Sequence, residues 1–228
     1  MYGAADATCE VSSGFASIGP EATLRAVSWW LRGAAVLVAP RAVFVSLRDE
    51  SDEEVESRQE PISAIVGLAG FAGVLGTPVA RHLLNDPSMS VSLIPVWVFL
   101  GGAVYALAVY WLGGGLLFGA SRRLGGIGSY RRSRQVLGLA AAPLALSLFT
   151  LWPVRIAVYG TDLFRTGGND YGRGDAIFGG VYLALLAWSV ALIVVGVRAV
   201  HGWTWARAAG AVTLAAIVPA LIVAATTL

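Results

Sequence analysis

All sixteen basic side chains of the chain are arginine, and five of them fall in one short stretch, ASRRLGGIGSYRRSRQ, as Arg122, Arg123, Arg131, Arg132 and Arg134. Guanidinium groups make paired hydrogen bonds to phosphate oxygens, so this spacing suits an anionic surface. Gly125, Gly126 and Gly128 would let the backbone between the arginines lie flat against that surface. The same GGxG resembles part of a phosphate-binding loop, but no strand precedes it and no lysine follows, which argues against a nucleotide site. The acidic counterpart, RDESDEEVESRQE, holds Asp49, Glu50, Asp52, Glu53, Glu54, Glu56 and Glu60. It lacks the alternating ligands and turn glycine of a calcium loop and reads as a solvated linker. Asp162, Asn169, Asp170 and Asp175 lie among glycines between Arg155 and Ala176 and read as a flexible outer loop rather than a cation site. His82 and His201 fall at opposite expected membrane edges, Cys9 is alone, and no serine–histidine pair or HExxH occurs. No catalytic residue, metal site or cofactor is therefore assigned.

The elements that must carry these side chains are apolar. Of 228 residues, 57% are hydrophobic and 13% charged, and the mean hydropathy is +0.71. One soluble core of this size could not hide that much apolar surface, whereas lipid solvates it directly. A cytosolic enzyme and a nucleic-acid-binding domain are thereby excluded as leading readings. A helix needs about 20 apolar residues to cross roughly 30 Å of hydrocarbon. Five stretches qualify: Pro61 to Ala80, Leu93 to about Gly114, Val136 to Val154, Ile177 to Val197, and about Ala208 to Leu228. None carries a charge, which argues against a proton- or ion-coupled pump. Small residues in them (Gly67, Gly70, Gly73, Gly76, Gly101, Gly102, Ala140 to Ala142), with Gly115 and Gly119 just beyond, would let helices approach closely within the chain.

A sixth apolar segment, Ala22 to Leu47, is interrupted by Arg25, Arg32, Arg41 and Pro40 and is too short to span. Leu24, Val27, Leu31, Ala34, Ala35 and Val38 recur at helical spacing, with Arg25 and Arg32 on a common face and Trp29 and Trp30 suited to headgroup level. That pattern fits an interfacial amphipathic helix, and equally a helix packed against the bundle. Residues Met1 to Gly19 lack the n- and h-regions of a signal peptide, and a retained polar tail is expected.

Arginine counting sets the orientation, because arginine-rich short loops stay cytoplasmic. With five spans, Arg25, Arg32, Arg41, Arg48, Arg58, the five of the glycine loop, Arg198 and Arg207 share one side, twelve in all, against Arg81, Arg155, Arg165 and Arg173 on the other. The N-terminus is expected inside and the C-terminus outside.

The order of features resembles a known family. Pro40, Phe44 and Leu47 precede the first span; Gly113 to Gly115, Phe118 and Gly119 close the second; LGGIGSYRR (Leu124 to Arg132) follows. Ala142 and Pro143 step into the third span, and WSVALIVVGVRAVHGWTWARA (Trp188 to Ala208) ends the fourth. From Pro40 to Leu228 the chain resembles the Yip family of Ypt/Rab-interacting membrane proteins, in its prokaryotic branch. In eukaryotes the resemblance implies Rab-type GTPases, vesicle traffic and membrane shape. The Asp-Leu-Tyr-Gly-Pro element is missing, and Gly138-Leu139 stands where Gly-Tyr is favoured, so Rab binding is not carried over.

The expectation is an all-α integral membrane bundle of five transmembrane helices with an N-terminal interfacial helix. Residues 1–60 form a cytoplasmic tail, helix and acidic linker, and residues 61–228 the spanning domain. The expected role is non-enzymatic: organising lipid or partner proteins at a prokaryotic cell membrane. Arg122, Arg123, Arg131, Arg132 and Arg134 would contact anionic lipid or an acidic partner. The expected partners are the bilayer with its anionic lipids and a protein partner or second copy, with no nucleic acid. A small permease or transporter subunit is the alternative.

Overall fold

The computed structural model describes residues 31, 33–49, 59–168 and 172–227, and among them every regular element is helical. A helical turn over residues 33–38 breaks at Ala39, because Pro40 disfavours α geometry in the residue before it. Proline then opens α1 (Pro40–Asp49). Next come α2 (Gln59–Leu75), α3 (Ile94–Ala108), α4 (Gly114–Arg123), α5 (Tyr130–Ala140), α6 (Ala142–Tyr159), α7 (Arg173–His201) and α8 (Trp205–Thr227). Short 3-10 turns at Ala80–Asn85, Val91–Leu93 and Gly160–Phe164 join them at one end.

Three helical stretches are long and apolar enough to cross a membrane: Val91–Arg123, Tyr130–Phe164 and Arg173–His201. Ile62–Leu75 and Trp205–Leu221 are apolar but shorter. The first of these ends early because Pro78 biases Thr77 away from helix, and the Thr77 hydroxyl turns back to donate to the Val74 carbonyl at 2.6 Å. Elsewhere helix runs further than apolar content alone indicates. Val109–Gly113 forms a π turn that carries α3 directly into α4, so the helix continues to Arg123. The loop expected from Ala120 to Gln135 is reduced to residues 124–129, and its arginines stand on the flanking helices.

Packing follows the glycines. α2 lies against α3 and α6, α6 and α8 against α7, and α8 also against α4. A Cβ on Gly70 would stand 2.5 Å from the Gly102 carbonyl oxygen, and one on Gly102 3.0 Å from Phe71 Cα, so these backbones touch. Gly73 meets Tyr105 and Gly76 meets Tyr182, whereas Gly67 and Gly119 face open space and seal no contact. The core has two parts. Phe44, Ile62, Val136, Leu139, Val197 and Ala208 centre one, and Ala72, Leu83, Ile94, Trp152, Leu163 and Phe164 the other.

The segment from 31 to 49 is mixed where it is described: Leu31, Ala34 and Val38 of the helical stripe are exposed, while part of it reaches the core. Val36, Val43, Phe44 and Leu47 are buried, and Phe44 lies against Gly196 of α7. Residues 22–30, with Arg25, Trp29 and Trp30, lie outside the described residues, as do Arg32 and most of the acidic linker.

Candidate functional site

Two polar clusters occupy opposite ends of the bundle. At the end with the 3-10 turns, Asp175 in the first turn of α7 takes two guanidinium groups: Arg155 of α6 at 2.5 Å and Arg81 of the Ala80–Asn85 turn at 3.3 Å. A helix N-terminus favours a carboxylate there. Arg155 is only 3% exposed, with Trp152 and Phe178 rings 5.5 and 6.0 Å from its guanidinium carbon. Beside it, His82 Nδ1 lies 2.6 Å from the Thr166 hydroxyl, and the Thr166 amide donates to Asn85 Oδ1 at 3.0 Å. Both contacts tie the turn to the segment after Phe164. Further along, the Ser88 hydroxyl and amide both donate to Asp86 Oδ1 and hold its carboxyl below the ordinary aspartate range. Asp175 and Arg155, expected in a flexible outer loop, are thus helical and paired. The sequence signal available was only opposite charge at long separation.

The other end gathers the glycine loop. Ser129 caps α5, its Oγ accepting from the Arg132 amide at 3.3 Å. Gly125 has a positive φ of 77°, and the Arg207 guanidinium beside it donates to the Leu124 carbonyl. Arg207 also lies over Trp203, and Arg198 over Trp205, at 4.5 and 4.4 Å. A Cβ on Gly128 would stand 2.6 Å from His201 Cε1, so the loop backbone rests directly on that ring. His201 in turn stacks on Trp203 at 4.6 Å. Gly202, in the left-handed region at φ 65°, ends α7 by bonding back to the Arg198 carbonyl.

The five arginines singled out by spacing divide into distinct environments. Arg122 and Arg123, in the last turn of α4, are exposed, and Arg122 reaches over Phe118 at 5.8 Å. Arg131 and Arg132 are half-buried in the first turn of α5. Arg134, one turn on, is 4% exposed. Its guanidinium carbon lies 4.0 Å from the Trp111 ring centre, 4.9 Å from Tyr130 and 5.3 Å from Tyr110. The π turn supplies Tyr110 and Trp111, and the Tyr130 hydroxyl donates to the Trp111 carbonyl at 2.9 Å. Gly114 makes the room: a Cβ there would stand 2.4 Å from Arg134 Cγ. The spans drawn from apolar content are free of charge, yet the longer helices bring two arginines, 134 and 155, into the packed interior. Sequence reasoning missed the aromatic box, because its members come from positions 110, 111, 130 and 134 on two helices.

Apolar helices with arginines and tryptophans gathered at an end define an integral membrane protein. The Yip1 domain family matches residues 34–227, and the chain belongs to that family. No curated protein and no solved structure matches it. Within the matched range, residues that carry the resemblance meet toward the glycine-loop end: Phe44 on Gly196 and Gly128 on His201.

Proposed function

We propose that this protein is a non-enzymatic membrane organiser that crosses a prokaryotic cell membrane five times and gathers anionic lipid at a cytoplasmic face. The carrying observation is that Arg122, Arg123, Arg131, Arg132, Arg198 and Arg207 belong to elements that meet around residues 124–129, among Trp203, Trp205 and Tyr130. Arginine beside interfacial aromatics matches the headgroup layer of an anionic leaflet. Five crossings are supported by the two-ended polar clusters: Arg48 approaches Gly202 at one end, while Arg81 and Arg155 share Asp175 at the other. That grouping has the twelve-to-four arginine bias behind it, with the N-terminus inside and the C-terminus outside. Residues 1–60 then form a cytoplasmic arm, α1 lying near the headgroup plane, and residues 61–228 the spanning domain. An acidic protein or a second copy would bind on this same face.

The test is lipid recovered with the protein. Each basic side chain near an anionic surface gains about 1 kcal/mol. Replacing Arg122, Arg123 and Arg131 by Gln is expected to lower the anionic lipid that co-purifies in mild detergent severalfold, with the fold retained. Unchanged lipid content in a folded variant would leave these arginines as determinants of topology alone.

A further inference from the structure

Arg134 differs in kind from its four neighbours. Its Nε and Nη1 are buried and meet no hydrogen-bond acceptor, and among the described residues no carboxylate pairs with it. Removing a guanidinium from water costs several kcal/mol. Each aromatic face returns part of that through attraction to the ring quadrupole and supplies no lone pair to the N–H groups. The box therefore holds a largely desolvated cation whose Nε and Nη1 donors are unsatisfied. What lies outside the box is apolar and open. Trp111 is 48% exposed, and Val104, Leu107 and Leu112 on the same helical stretch are more so.

We propose that the Arg134 box is a discrete seat for the phosphate of one anionic phospholipid. The Trp111 indole is its cover, and the acyl chains lie along the exposed side of α3. Swinging the Trp111 side chain aside uncovers the guanidinium from the lipid side, while the Tyr130 hydroxyl holds the π-turn backbone at the Trp111 carbonyl. Two of the donors that now face ring carbon then meet phosphate oxygens, the charge-assisted bonding a guanidinium is shaped for. This deepens the anionic-lipid reading above, from general attraction by exposed arginines to one site with a defined ligand.

The full chain is reconstituted in vesicles of phosphatidylcholine and phosphatidylglycerol in equal parts, solubilised in mild detergent, and its retained lipid counted by native mass spectrometry. Wild type is expected to keep one phosphatidylglycerol through washing. Arg134→Lys, which keeps the charge but loses the planar fork, is expected to lose it by about tenfold in affinity, or 1.4 kcal/mol. The Arg122→Gln, Arg123→Gln, Arg131→Gln variant is expected to keep that bound lipid while losing the bulk enrichment, which separates this seat from the surface reading. A folded Arg134→Lys chain that retains the lipid like wild type overturns the proposal and makes Arg134 a packing clamp.

A second measurement needs no arginine variant. Phosphatidylglycerol with brominated chains is expected to quench tryptophan fluorescence more than brominated phosphatidylcholine, with the excess lost in Trp111→Phe. Equal quenching by the two lipids overturns the seat. Displacement of the bound lipid by inorganic phosphate at a comparable concentration also overturns it, since the ligand would then be a soluble phosphate.

Discussion

At the scale of single residues, the two buried arginines follow one rule by different means. A guanidinium leaves water only where something replaces the lost hydration. For Arg155 that is the Asp175 carboxylate at 2.5 Å; for Arg134 three aromatic faces do so only in part, since Nε and Nη1 meet no acceptor. Removing one partner of a buried pair commonly costs about 3–5 kcal/mol. Asp175 is partly exposed, so solvent screening reduces the figure, and Asp175→Asn is expected to cost about 1–3 kcal/mol. The check is the midpoint of thermal unfolding in detergent. Adding Arg155→Met to Asp175→Asn should recover much of the loss, because no buried charge is then left without its carboxylate. A double variant no better than the single one would mean the aromatic rings alone keep Arg155 stable.

Between elements, the decisive groups are glycines at points of backbone contact. Gly70 and Gly102 bring α2 and α3 together with no side chain between them, so Gly70→Ala must push its Cβ against a rigid carbonyl oxygen. A loss of about 1–3 kcal/mol is expected, the cost of overpacking a closed interface. Gly67→Ala, on the same helix but in open space, is expected to be neutral or slightly stabilising, as alanine is the better helix former. Comparing the two melting temperatures separates helix propensity from interhelical contact. At the glycine loop, Gly125→Ala places an L residue at φ 77° against Arg207. About 1–2 kcal/mol is expected from the left-handed backbone alone. Protease cleavage between residues 124 and 129 should speed up in that variant, because loss of the turn releases the Arg207 bond to the Leu124 carbonyl.

For the whole molecule, the testable quantity is topology. A reporter active only in the cytoplasm is expected to work when fused after Glu60 or Gln135 and to fail after Leu228. Activity after Leu228 would mean an even number of crossings. The element most exposed to that test is α2, whose apolar part, Ile62–Leu75, is short for a membrane of about 30 Å. It is held deep in the bundle instead: Ile62, Ile65, Val66 and Ala72 are buried against α3, α5 and α6. A short helix packed among others can sit at membrane depth because protein rather than lipid surrounds it.

What the sequence determined by itself was the solvent and the secondary structure. An apolar excess of this size has a bilayer as its physical home, and apolar runs without strand alternation fold as helices there because each backbone group must be bonded within its own segment. The break at Pro40 was legible from its proline, whereas the first span, drawn through Pro78 to Ala80, ends as helix at Leu75. Tertiary structure decided the rest. Arg134 and Arg155 looked like loop charges because Tyr110, Trp111 and Asp175 lie 20 or more positions away; only packing could show that ring and carboxylate surround them. Likewise, Gly70 and Gly67 are the same residue type three positions apart. One touches a neighbouring backbone and the other touches nothing: they stand only about 60° apart around the helix and about 4.5 Å apart along it, and α3 comes within contact at Gly70 and not at Gly67.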